Sequence, residues 1–443
     1  MNTTVLKIGG SCLRDGKDVL RIIDIVREQE KAVGKPILVI SAFSGVTDQL
    51  ISLARNAFSG RFDLGEIEGR HYGLIEHLSS STKRRVGERL GSLLAELEKS
   101  LLSLGHIKDL SPEALDGVIS YGEKLAIEIV AAHLVDAGFR AVALSDSDAG
   151  IITNSNFGNA SILRESVDLI REKLAATPIP VVAGFIGRDV EGRMTTLGRG
   201  GSDYTATFIA SSLTCGVSLL KDVGGLMTAD PKMVAEASVI KQINYLDALE
   251  MAHYGSKVIN EKAIIPAMES RIPINVSNFY EFSSGTTISS EGEATAISTL
   301  EDVARIAFLG RPASVMKAVA SLLTELCTRG IHPLLMAKAS RGETYFIFDG
   351  AKVGIIEGII QESIVDSGVE VGIKDALGLV TAVGSGVEKK REGVASTIKL
   401  LWDKGARVHG VHQPTSGRSL CVTVDGGDVR VATQAMHGIF VGP

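Results

Sequence analysis

Short apolar runs rich in Val and Ile, at residues 5–8, 37–42, 141–144, 179–185, 217–220 and 274–276, alternate with longer stretches of helical spacing. Strands that are apolar throughout, rather than at every second residue, are buried on both faces. The pattern therefore predicts a mostly parallel sheet covered by helices, a three-layer α/β architecture. Such sheets receive their ligands at the carboxyl ends of the strands. Residues 62–108 depart from the pattern, with dense charge and leucines at helical spacing (Leu90, Leu93, Leu94, Leu97, Leu101), and are expected as a helical excursion.

A chain of 443 residues exceeds the size at which one core stops growing, so more than one domain is expected. Residues 283–299, rich in Ser, Gly, Thr and Glu, are the expected linker, which gives domains over 1–290 and 300–443. Beyond the linker a βαββα pattern occurs twice. The first copy reads as strand 303–309, helix 314–327, strands 333–336 and 345–348, and a second helix. The second copy reads as strand 377–383, helix 393–404, strands 407–411 and 419–424, and helix 429–438.

The 46 basic and 52 acidic residues leave a formal charge of −6, which gives no electrostatic reason to expect nucleic acid or an anionic membrane as partner. No apolar run approaches the ~20 residues that cross a bilayer. The opening residues, MNTTVLKIGG, enter a strand pattern with no basic leader, so a cytoplasmic protein is expected. Cys12, Cys215, Cys327 and Cys421 lie far apart with no CxxC pair, which predicts buried free thiols and neither a disulfide framework nor a zinc site.

Chemistry concentrates in glycine-bearing segments. Lys7-Ile8-Gly9-Gly10-Ser11 follows a strand, where paired glycines let backbone amides approach an anion and a lysine supplies charge. The P-loop pattern GxxxxGK[ST] is absent. In residues 195–206, TTLGRGGSDYTA, glycines lead into an apolar helix over 204–213 with Ser202 read as its N-cap. Amides at that helix start and the Arg199 fork suit a carboxylate or phosphate. Capping by Ser202 and Asp203 alone leaves the glycines and the arginine unexplained. In residues 221–232, KDVGGLMTADPK, Asp222 falls at a strand end, where a carboxylate can take ribose hydroxyls or a metal, and Lys232 follows an Asp230-Pro231 turn within reach of phosphate oxygens.

In chain order, the blocks KIGGS, VISAFSGVTDQL, SYGEKLAIEI, GFIG followed by TTLGRGGSDYTA, KDVGGLMTADPK, YGSKVI and IPINVSNF resemble the aspartokinases of the amino acid kinase family, with TTLGRGGSD the most diagnostic piece. The resemblance implies an amino acid kinase domain over 1–290, followed by two ferredoxin-like (βαββαβ) ACT domains over 300–443, interleaved or side by side. It implies ATP and Mg2+ as cofactors, with L-aspartate phosphorylated on its side-chain carboxylate to 4-phospho-L-aspartate. An amino-acid effector at the ACT domains, and a homodimer or higher homo-oligomer built through them, belong to the same expectation.

By this resemblance, Lys7, Gly9 and Gly10 contact the transferring phosphates, and Asp203 positions substrate or lysine. Ser41, Thr47, Glu123, Arg199 and Ser202 surround the amino acid. Ser11, Lys221, Asp222, Met227, Lys232 and Lys257 serve the nucleotide together with Lys7 and Gly10. The residue chemistry agrees, since Arg199 suits an α-carboxylate and Glu123 an α-ammonium. A carboxylate of pKa ~3.9 is ionised at neutral pH and needs no general base. Catalysis then reduces to neutralising and aligning two anions through Lys7, the Gly9 and Gly10 amides and magnesium.

Against the family pattern, Met227 replaces a tyrosine, Lys221 a threonine, Gly224 an aspartate and Lys232 an arginine. Lys124 and Ala126 alter the Gly-Glu-Arg-Leu-Ser block, and Asn260-Glu261 stands where His-Pro is usual. The tail segment MAKASRGET at 336–344 lacks the family's Thr-Ser-Glu, and, with the sequence ending at Pro443, no fused homoserine dehydrogenase is expected. Competing expectations are a kinase for glutamate or acetylglutamate, and an amino-acid sensor with a degenerate kinase domain. A dehydrogenase is disfavoured because no GxGxxG opens a helix after the first strand.

Overall fold

Val5, Leu6 and Ile8 are completely buried, as are Leu38, Val39, Ile40, Val181, Val182, Leu219 and Leu220, so strands from distant parts of the chain converge on one dry sheet. Each such side chain contributes about 1.5–3 kcal/mol on leaving water. The computed structural model describes residues 3–32, 34–107, 110–282, 285–339, 342–363, 368–390, 392–414 and 416–442. They form two compact units, Met1–Gly225 with Val258–Glu291, and Leu226–Lys257 with Gly292–Pro443.

In the first unit the strands run side by side in the order Ala141–Leu144, Ile179–Ala183, Lys35–Ile40, Thr3–Ile8, Val217–Lys221, Ile274–Asn278 and Thr286–Ser289. All neighbours are parallel except the last pair, which is antiparallel. The carboxyl ends of the first six therefore face one way and carry Gly9, Ser41, Gly184 and Asp222. The helical excursion is present as Gly65–Leu74 and Ser80–Ile107, with Leu90, Leu94, Leu97 and Leu101 on its buried stripe; residue 108 lies outside the described residues. Among the described residues no helix is long and apolar enough to cross a membrane.

The apolar run 179–185 does not continue as one strand. It ends at Ala183, turns through Phe185 at φ 66°, and resumes as Ile186–Asp189 in a small sheet with Ile152–Thr153 and Met194–Thr196. The turn is locked by Thr205, whose hydroxyl accepts from the Phe185 amide at 3.1 Å and donates to the Gly201 carbonyl at 3.0 Å.

The segment expected as a linker is structured in part. Thr286–Ser289 pairs with Ile274–Asn278, helped by a bond from the Thr287 hydroxyl to the Asn275 side chain at 3.0 Å, and a long strand begins at Thr295. β-branched threonines outweigh the loop-like composition there. Residues 283 and 284 lie outside the described residues.

In the second unit the strand order is Leu335–Ala339, Glu343–Asp349, Thr295–Leu309, Glu370–Gly384, Ser419–Asp425, Val408–His412, antiparallel throughout. The two βαββα modules are thus arranged as mirror halves joined through their first strands, as in paired ACT domains. These joining strands are 15 residues each, longer than the pattern at 303–309 and 377–383 suggests. They are long because each serves two cores. Ile297 packs with Val380, Leu420 and Phe440, whereas Ile306 and Phe308 pack with Leu322, Phe346 and Ile359. A register shift between Leu300 and Val303 separates the two halves. Residues 340 and 341 of the 336–344 segment lie outside the described residues. The four cysteines are free, but only Cys12 and Cys421 are buried; Cys215 is half-buried and Cys327 is exposed on the last turn of the helix Pro312–Thr328, against the expectation that all are buried.

Candidate active site

Lys7 points from the first strand toward its carboxyl end, and its ammonium lies 2.7 Å from Oδ1 of Asp203 in the first turn of the helix Gly201–Leu213. The other oxygen, Oδ2, accepts from Lys221 at 2.6 Å. All three side chains are largely buried, so one carboxylate with two ammonium groups leaves a net single positive charge where water is scarce. Burial alone would raise the Asp203 carboxyl, yet the two lysines hold it down to about 2. Burial and the neighbouring Lys221 charge pull Lys7 below the ordinary lysine value, against the opposing pull of Asp203.

The turn after Lys7 is tight. Gly9 donates its amide to the Leu220 carbonyl at 3.2 Å, so this amide is committed to the sheet and is not a free anion donor, contrary to expectation. The amides available for an anion are those of Gly10 and Ser11, which open the short 3-10 turn Gly10–Cys12; the first amides of such a turn have no partner within it.

Across the turn lies the strand end of Lys35–Ile40. Ser41, nearly buried, donates its amide to the Ile8 carbonyl at 3.3 Å, and the Ala42 amide donates to Oε1 of Glu123 at 3.0 Å. Glu123 belongs to the helix Tyr121–Asp136 and is 3% exposed. Its Oε2 has no hydrogen-bond partner among the described residues. Burial pushes this carboxyl up to about 8, with the Ala42 bond and the Lys7 charge pulling the other way. A buried carboxylate with one oxygen unsatisfied is suited to an incoming cation. Thr47 is half-buried in the first turn of the neighbouring helix Val46–Phe58.

The helix bearing Asp203 is capped by Gly200 at φ 74°, not by Ser202. A left-handed cap is open to glycine without strain, and this pulls Gly201 and Ser202 into the first helical turn. Ser202 is buried there against Gly184. Arg199 stands exposed just before the cap, with no ion pair among the described residues. Asp222 is exposed at the end of Val217–Lys221.

In the first unit Lys7, Gly9, Gly10, Ser11, Ser41, Glu123, Asp203 and Lys221 are joined by bonds or close approaches, directly or through Ala42, while Thr47, Arg199, Ser202 and Asp222 stand on the adjoining helix starts and strand end. Met227, Lys232 and Lys257 belong to the second unit. There Met227 bridges to Val239, and Lys232 is exposed with its amide donating to Asp230 at 2.8 Å, which is the ordinary Asp-Pro turn. Lys257 is exposed. Two residues went unread in the sequence, Asp116 and Lys262. Asp116 is 1% exposed and accepts from the Thr196 amide and hydroxyl, and Lys262 donates to the Leu197 carbonyl. No motif announces either, because their partners are mostly backbone groups.

Among the described residues no group of three His, Cys, Asp or Glu side chains could hold a metal. Asp203 is occupied by its lysines, which leaves Asp222 as the exposed carboxylate at this strand end. That donor set fits a divalent cation bound mainly by substrate oxygens and water.

The model of the amino acid kinase family matches residues 2–278. Aspartokinase 1, chloroplastic, of Arabidopsis thaliana is 28% identical over 465 residues, covering 99% of this chain and 80% of that protein. An aspartokinase of Geobacillus stearothermophilus is 26% identical over 448 residues, covering 99% of this chain and 97% of the other. Among solved structures, E. coli aspartokinase III in complex with aspartate and ADP (R-state) superposes with a TM-score of 0.84 at 23% identity, covering 99% of this chain and all of that one. At that identity the likeness is one of fold.

Proposed function

This chain belongs to the amino acid kinase family, and we propose that it is an aspartate kinase, transferring the γ-phosphoryl group of ATP to the side-chain carboxylate of L-aspartate. The observation that carries the reading is the buried Lys7–Asp203–Lys221 cluster beside the glycine turn, facing a buried Glu123 with one oxygen unsatisfied.

In this proposal the two ends of the amino acid are told apart by opposite charges. Arg199 takes the α-carboxylate with a planar fork, and Glu123 takes the α-ammonium. Ser41, Thr47 and Ser202 complete the hydrogen bonding around the substrate. The side-chain carboxylate, already ionised, attacks the γ-phosphorus; a new O–P bond forms, the bond to the β–γ bridging oxygen breaks, and ADP leaves with the electron pair. No proton moves, so no residue acts as general base.

The obstacle is repulsion between two anions. Lys7, with the Gly10 and Ser11 amides, neutralises charge on the transferring oxygens, and Lys221 keeps Asp203 compensated when Lys7 turns to the phosphates. Asp203 aims the lysines. Asp222 is the side chain that would hold magnesium, which neutralises phosphate charge when bound. For the second unit we propose an amino-acid effector and assembly into a homo-oligomer, to be tested by titrating lysine and threonine into the assay and by light scattering.

The reaction is tested by trapping the acyl phosphate with hydroxylamine. Aspartate, ATP and magnesium should give the hydroxamate, and glutamate or acetylglutamate should not. Amino-acid binding by calorimetry with no hydroxamate from any acceptor would replace this reading with that of a sensor.

A further inference from the structure

The loop that carries Arg199 leaves the strand Met194–Thr196, and two oppositely charged side chains hold its start, Asp116 at Thr196 and Lys262 at Leu197. In the first unit Asp116 of the helix Pro112–Ile119 accepts three bonds, from the Thr196 amide at 2.8 Å, the Thr196 hydroxyl at 2.7 Å and the Gly158 amide at 2.8 Å. Lys262, half-buried on the helix Glu261–Ser270, donates to the carbonyls of Asn159 at 3.2 Å, Leu197 at 3.3 Å and Ala160 at 3.4 Å, and to the Asn159 side chain. The carboxylate collects donors and the ammonium collects acceptors from the same two segments, residues 156–160 and 196–198. A backbone bond from Ala160 to Thr196 at 2.8 Å closes the pair.

The packing between these segments leaves no slack. Gly198 has φ 75°, and a Cβ there would lie 2.8 Å from Asn159 Oδ1 and 3.0 Å from the Gly158 carbonyl. A Cβ on Gly200 would lie 2.4 Å from that of Asn260, the N-cap of the helix bearing Lys262. Between these two fixed glycines Arg199 is the residue whose side chain remains exposed. Charge-assisted bonds to backbone groups are among the stronger polar contacts, and losing one partner leaves buried groups unsatisfied.

We propose that Asp116 and Lys262 are positioning residues for the amino-acid substrate, holding the 196–200 loop so that Arg199 presents its guanidinium to the α-carboxylate while the nucleotide side is untouched. The inference rests on the reading of Arg199 given above. It goes beyond that reading in assigning specificity for one substrate to two residues that do not touch it.

The experiment compares Lys262→Met, Lys262→Arg and Asp116→Asn with the wild-type full chain, by steady-state hydroxamate kinetics and by amide hydrogen exchange of residues 195–201. The expected result for Lys262→Met and Asp116→Asn is a KM for aspartate raised roughly tenfold or more, with the KM for ATP changed less than about twofold. Faster exchange in the loop should accompany it, and Lys262→Arg should recover most of the loss. Unchanged aspartate KM, or equal changes in both KM values with unaltered loop exchange, overturns the proposal. If Asp116→Asn does not fold, the two Lys262 variants decide alone. If the wild type makes no hydroxamate, the functional reading fails, while loop exchange still decides whether the clamp exists.

Discussion

The Lys7 ammonium lies 2.7 Å from a carboxylate oxygen of Asp203, and both side chains are almost wholly withdrawn from solvent. Because Lys221 holds the other oxygen at 2.6 Å, removing Lys7 does not strand a buried negative charge. Lys7→Ala should therefore fold normally and lose about 10²–10³-fold in kcat, the cost typical of one lost charge-stabilising donor. Thermal unfolding alongside the hydroxamate assay checks both halves; an unchanged rate counts against the site.

Asp203→Ala should behave differently. It leaves two buried ammonium groups without a counter-charge, and breaking such a cluster costs about 3–5 kcal/mol. Denaturant unfolding should show this variant well below Lys7→Ala in stability. The same carboxylate has a pH signature. Its folded value of about 2 lies below the unfolded one, so its contribution is present above the unfolded value and is lost as pH falls through the folded one. Acid titration of wild type against Asp203→Asn should show that loss in the wild type.

Glu123 has the opposite sign. Burial raises its folded value to about 8, so the native state holds a proton that the unfolded state has released, and stability from this group declines as pH rises from the unfolded value, about 4.3, through about 8. Binding an ammonium requires the ionised form. The kcat/KM for aspartate should therefore climb with pH through about 8, and Glu123→Gln should flatten the climb and weaken aspartate binding. A wild-type profile flat across that interval contradicts the role given to Glu123.

His71 offers a check on the helical excursion. It is fully buried, edge-on to Phe43 at 5.9 Å, with Nδ1 bonded to the Ile67 carbonyl at 2.7 Å. Burial lowers it to about 4, so the neutral form is held in the fold and stability falls as pH drops from the unfolded value near 6.5 through about 4. His71→Phe should remove this part of the acid sensitivity, read as a smaller drop in unfolding midpoint between neutral pH and pH about 4.5 than in wild type.

The parallel strands were legible because buried strands write themselves as unbroken Val and Ile runs, and the carboxyl-end rule then located Gly9 and Asp222, whereas Ser41, inside the run 37–42, entered only through the family resemblance. The helix start at Asp203 was legible from glycines, but its cap was misread: Ser202 is a good cap by residue type, and only the left-handed φ of Gly200 shows that the turn begins two residues earlier. The availability of the Gly9 amide was not legible, since its partner is the carbonyl of Leu220, remote in sequence. Lys221 read as a nucleotide residue replacing a threonine; its pairing with Asp203 depends on the parallel register that sets Val217–Lys221 beside Thr3–Ile8. The loop-like composition of 283–299 hid strand residues because the β-branched threonines among its Ser, Gly and Glu residues show their weight only once Thr286–Ser289 pairs with Ile274–Asn278.

A crystal structure with ADP and aspartate bound shows whether Lys7, the glycine turn after it and the helix start at Gly201 hold two mutually repelling anions side by side. The β-phosphate is expected within hydrogen-bonding distance of Lys7 and of the Gly10 amide, with the aspartate α-carboxylate on Arg199 and its ammonium on Glu123. A nucleotide seated away from the carboxyl ends of Thr3–Ile8 and Val217–Lys221 would contradict it.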